Sequence, residues 1–162
     1  MAINQITFFL IPREGNYTLF EGLNLKSFLQ DSIPEDEGFY LFEDDLFWEN
    51  LGYKFSEIKE LLVNNFTEEE SWSDEVKIFG HNDSNCIKII LDDDVIISVS
   101  FRINFVINYS NFLSKVIEFS KAKDFLIVDN RLDILNLDYD IINNNICDSD
   151  EYLNYKNFNK EG

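Results

Sequence analysis

The chain has 162 residues, with 31 acidic side chains against 13 basic ones and a formal charge of −18. Such a surface repels nucleic-acid phosphates and anionic lipid, whose binding needs Lys and Arg to release counterions, so the partner it favours is a basic protein. Sixteen Phe, seven Tyr and two Trp supply a packed core for one domain and argue against disorder.

In chain order, Ile6–Ile11 is a short β-branched and aromatic run stopped by Pro12, which predicts a buried strand. "NLKSFLQDS" suggests a short helix ended by Asp31, Ser32 and Pro34, and "GFYLFEDD" a second strand running into an acidic turn. In "KFSEIKELLVNNF", Phe55, Ile58, Leu61, Leu62 and Phe66 recur at helical spacing, with Ser56 as the expected N-cap. "TEEESWSDE" is a polar connection and "VKIFG" a strand. Ile87, Ile89 and Leu91 alternate with their neighbours. So do Val95, Ile97, Val99, Phe101, Ile103 and Phe105, which predicts two half-buried strands. Asp92, Asp93 and Asp94 between them are expected to be a hairpin tip, since Asp bonds the amides that follow it and three successive turn residues diverge rather than converge on a metal. "INYSNFLSKVIEFSKAKD" is the best helix, capped by Asn108 or Ser110 and with lysines towards its negative end. "FLIVD" is a strand, "NLDYDIINNNICDSDEYL" has helical spacing weakened by asparagine, and residues 153–162 are expected to form a flexible tail.

These elements give an α+β class: a single domain over residues 1–152, with a mostly antiparallel sheet of about four to six strands and helices on one face. The Ser98–Arg102 side of the central hairpin is expected to be open to solvent or a partner. Its flat polar strand leaves both monomer and homodimer open.

The charge is concentrated. Residues 31–75 hold 15 acids against two lysines, a net of −13, whereas the rest of the chain holds 16 acids against 11 bases, a net of −5. Within that segment Asp44, Asp45 and Glu49 lie around Trp48, and Glu68, Glu69, Glu70, Asp74 and Glu75 around Trp72. Aromatic anchors ringed by charge suit a partner-binding surface. A solvated loop with its tryptophan folded into the core is the simpler account of either cluster alone, and both remain open.

Chemistry-bearing patterns are sparse. His81 is the single histidine, no phosphate loop or zinc spacing occurs, and Cys86 opens a strand as a small hydrophobe would. Dense exposed acids are a poor setting for a general acid, which needs a carboxylate raised by burial. The expectation is therefore no catalytic residue, no metal and no cofactor. Arg102, on the polar side of its strand, is expected to pair with an acid or to point into a partner. Two unpaired cysteines and a first apolar run too short for a signal peptide suggest a cytoplasmic protein.

The N-terminal "ITFFLIP" strand, the "WSDEVKIFGHNDSNCIKIILDDDVIISVSFRINF" hairpin and the "NYSNFLSKVIEFSKAKDFLIVD" helix–strand unit together resemble bacterial immunity proteins of polymorphic toxin and contact-dependent inhibition systems. The resemblance spans about Trp72 to Asp129 and transfers no residue by position. It implies a cytoplasmic protein that binds one cognate toxin domain, often a basic nuclease, and blocks its active site. The alternative is a non-catalytic intracellular adaptor or regulatory domain with another basic partner. A hydrolase using a carboxylate pair ranks third.

Overall fold

The computed structural model describes residues 4–14, 44–49 and 51–160. Strand β1 (Gln5–Pro12) is followed by 3₁₀ turns at Asp44–Phe47 and Phe55–Glu57 and by helix α1 (Lys59–Asn65). Strands β2 (Glu68–Glu69), β3 (Val76–Gly80), β4 (Cys86–Asp92) and β5 (Val95–Asn104) come next, then helix α2 (Ser110–Lys123). The chain ends with β6 (Phe125–Val128), β7 (Ile134–Leu135), α3 (Tyr139–Cys147) and α4 (Asp150–Phe158). The expected helix at "NLKSFLQDS" and strand at "GFYLFEDD" lie outside the described residues, save Asp44 and Asp45.

The α+β class holds. Seven strands form one antiparallel sheet in the order β2-β3-β4-β5-β1-β6-β7. The count exceeds the expected range because the two edge strands are two residues long, too short to leave a periodicity. Short edges also blunt the sheet against edge-to-edge pairing. The first strand in sequence becomes central: β1 pairs with β5 through Gln5–Phe9 and with β6 through Phe9–Pro12.

One face of the sheet and the helices share a single core. Phe8 stacks on Phe101 at 5.0 Å between ring centroids, and Leu10, Ile87, Ile89 and Ile103 continue the layer. Leu62 of α1, Leu113, Val116 and Ile117 of α2, and Ile142 and Ile146 of α3 close over it. Burying one such side chain contributes about 1.5–3 kcal/mol, so this layer dominates the stability.

The hairpin forms as its pattern predicts, with one change of phase. Asp92 pairs with Val95, leaving Asp93 and Asp94 as the turn, and Asp93 takes the left-handed conformation (φ 54°) that Asp tolerates. The register then skips Ile97: Leu91 faces Ile96, but Ile90 faces Ser98. This β-bulge turns Ile96 into the core together with Val99, three residues away, and leaves Val95 and Ile97 half-buried. From Val99 to Phe105 the apolar residues Val99, Phe101, Ile103 and Phe105 are buried as the alternation predicts, and Ser100 and Asn104 between them are buried as well.

Three further expectations change. Ser56 is not an N-cap; it lies inside a 3₁₀ turn, its hydroxyl donating to Asp94 Oδ2 (2.8 Å) while Phe55 N–H donates to the Asp94 carbonyl (2.7 Å). The hairpin tip thus anchors the start of α1. The last helical segment is two helices, because Ser149 interrupts it: its hydroxyl donates to the Ile146 carbonyl (2.6 Å) and accepts from Tyr152 N–H (3.2 Å), capping α4. The chain stays helical through Phe158, where a tail from residue 153 was expected, and Tyr152 and Tyr155 pack against Phe105.

Candidate functional site

The ten acidic and aromatic candidates separate into two environments. Around the first tryptophan, Asp44 and Trp48 are buried, Asp45 is half-buried and Glu49 exposed. Trp48 is 1% exposed, edge-on to Tyr53 and Phe125 at 5.9 and 5.4 Å. It is a core residue, so neither it nor Asp44 offers a side chain to a partner.

Asp44 has a structural task instead. The β1–β5 ladder ends at Phe9–Ser100, and beyond that point Asp44 stands where a strand would. Its Oδ2 accepts the Val99 N–H at 3.1 Å and its Oδ1 accepts the Ser98 hydroxyl at 2.7 Å. Burial pushes its carboxyl up from 3.8 to about 6, with these hydrogen bonds pulling part of the way back. A raised carboxyl is one requirement of a general acid. Both its oxygens, however, are committed to β5, which is the arrangement of a strand-end cap.

The same contact corrects the expected open face. Ser98 and Arg102 are half-buried, Ser100 and Asn104 are buried, and β5 lies inside the sheet between β4 and β1, where its backbone cannot pair with a second copy. Arg102 donates from Nε to the Ser84 carbonyl (3.1 Å), so its described partner is a backbone oxygen and not an acid. Cys86, paired with Arg102 across the ladder, is buried, and desolvation pushes its thiol up, which disfavours a thiolate nucleophile.

The second cluster is a surface. Glu68 and Glu69 form β2, the edge of the sheet, and Trp72 lies 70% exposed in the loop that leads back to β3. Serines on both sides brace that loop. Ser71 Oγ donates to the Ser73 carbonyl (2.9 Å) and accepts from Ser73 N–H (3.2 Å), and Ser73 Oγ accepts from Glu75 N–H (3.2 Å). The indole is thereby presented on a fixed backbone, with Glu68, Glu70, Asp74 and Glu75 exposed around it. Glu69 differs: it accepts Asn82 N–H (2.7 Å) and contacts His81 Nδ1 (3.2 Å), bonds that hold its carboxyl below the usual range and tie β2 to the β3–β4 turn.

Trp72 is thus a large aromatic ring left exposed on a hydrogen-bonded loop among exposed acids. The "SWS" spacing is the sequence signal for the brace, inside a stretch whose composition reads only as a polar connection. At the opposite edge Asp129 is 1% exposed and organises the β6–β7 turn, accepting from Arg131 and Asp133 N–H (2.9 and 2.8 Å) and from the Asn145 amide (2.9 Å). Among the described residues no group of three or more His, Cys, Asp or Glu is placed to hold a metal ion, and no helix is long and apolar enough to cross a membrane. No protein-family model, curated protein or solved structure matches the chain.

Proposed function

We propose that this chain is a non-catalytic immunity-type protein of the bacterial cytoplasm that binds a cognate basic toxin domain through the acidic edge formed by β2 and the Trp72 loop. The observation that carries the proposal is the exposed Trp72 on its serine-braced loop, flanked by Glu70, Asp74 and Glu75. Charge of one sign speeds encounter with a basic domain, and a rigid indole then supplies buried contact area at little entropic cost. Carboxylates presented on an edge can occupy the place of substrate phosphates in a nuclease cleft.

The test is rescue. The C-terminal domain encoded next to this gene is expressed with and without this chain, and growth is followed. Killing by that domain alone, abolished by this chain and restored by Trp72→Ala, is the expected result. A domain that never kills, or kills regardless, removes the proposal and leaves the adaptor alternative.

A further inference from the structure

The end of α1, the β3–β4 turn and α2 enclose a pocket of about 190 Å3 whose character is opposite to that of the molecule as a whole. In a chain of charge −18, no Asp or Glu is among the described residues that line it, and its ionisable lining groups are Lys115 and His81. Lys115 Nζ donates one hydrogen to the Asn65 carbonyl at 3.1 Å, and an ammonium has two more to give. His81 turns its Nδ1 to Glu69, 3.2 Å away.

One further feature points to a ligand. Next to the lysine the lining is apolar: Phe112 lies one helical turn before Lys115 and meets Phe66 edge-on at 5.5 Å, and Ile107 lines the same pocket. A cationic donor beside aromatic rings matches an anion that has an apolar body.

We infer that this pocket binds a small carboxylate with an aromatic or branched alkyl group, the carboxylate held by Lys115 and the apolar part seated on Phe66, Phe112 and Ile107. The site is separate from the acidic edge and stands whether or not a toxin is the partner of that edge. A free carboxylic acid and the carboxylate end of a peptide carry the same chemistry.

The test is titration of the full chain, followed by amide NMR, with three probes: phenylacetate, its neutral isostere phenylacetamide, and a tetrapeptide ending in phenylalanine with a free C-terminus. Saturable shifts at Phe66, Thr67, Gly80 and Ile107 are expected for phenylacetate. A millimolar Kd is the scale for a ligand of roughly ten heavy atoms. Phenylacetamide should bind at least tenfold more weakly, and Lys115→Gln should weaken phenylacetate by about tenfold. Tighter binding of the tetrapeptide would identify a chain end as the source, and tighter binding of phenylacetate a free metabolite; either supports the site. Should Lys115→Gln not fold, Asn111→Trp at the exposed rim is expected to block the pocket. No saturation by either carboxylate, equal binding of phenylacetamide, or an affinity indifferent to both variants overturns the inference.

Discussion

Asp44→Asn isolates what it costs to keep a carboxylate at the end of a ladder. Below pH 3.8 the side chain is protonated in both the folded and unfolded states. Between 3.8 and about 6 the folded state keeps a proton the unfolded chain has lost, so stability falls as pH rises; above 6 the full cost is present. At ~1.4 kcal/mol per pKa unit that cost is about 3 kcal/mol, and roughly half of it develops between pH 5 and 7.5. An asparagine carries no charge to desolvate and can keep both bonds, its Oδ1 accepting from Val99 N–H and its Nδ2 donating to the Ser98 oxygen. The stability of Asp44→Asn relative to the parent should therefore grow by roughly 1–2 kcal/mol from pH 5 to 7.5. Urea melts read by tryptophan fluorescence would measure it, over a range above the pI of 4.2 where solubility holds. Asp45→Asn, which removes the same charge from the neighbouring half-buried position, reports the general field of the acidic surface. A difference between Asp44→Asn and the parent that does not change with pH, or no more than Asp45→Asn does, would refute the assignment of Asp44 as a desolvated cap.

The two tryptophans should respond oppositely: Trp48→Ala is expected to destabilise by about 3–5 kcal/mol. Trp72→Ala should change stability by less than about 0.5 kcal/mol while weakening partner binding at least tenfold, and the reverse order in thermal melts would contradict the placement of the two rings. Lysine at Glu68, Glu70 and Glu75 together should slow association with a basic partner at low salt far more than Asp92→Lys; stopped-flow rates that fall equally would move the docking surface elsewhere. Gly80 has φ +104°, and a Cβ there would collide with the Asn85 carbonyl oxygen. Gly80→Ala should cost roughly 2–4 kcal/mol, and a neutral effect in urea melts would show that the β3–β4 turn relaxes easily.

Much of the fold is written locally. The alternation from Val99 to Phe105 and the 3.6-residue spacing of Leu113, Val116 and Ile117 mark one buried side of each element, and the Asp run marks the turn, because burial on one side leaves a period that needs no knowledge of neighbours. The bulge at Ile97 left no such trace: Val95, Ile96 and Ile97 are all apolar, so only pairing with β4 decides which of them faces the core. The two-residue edge strands are too short for any period to appear.

The candidate site shows the same division more sharply. Composition alone located the acidic segment and its two tryptophans, since net charge is a sum over residues and does not depend on the fold. Trp48 and Trp72 both have acids nearby in sequence, yet one is packed against Tyr53 and Phe125 and the other lies exposed between two hydrogen-bonded serines. Asp44 likewise looks like any other acid until β1 leaves β5 and opens a place for its carboxylate. Sequence by itself determined the class, the charge and the residues that could serve a surface. Which of them do was decided by contacts between segments more than 50 residues apart, such as Asp44 with Ser98 and Val99, and local composition carries no record of those.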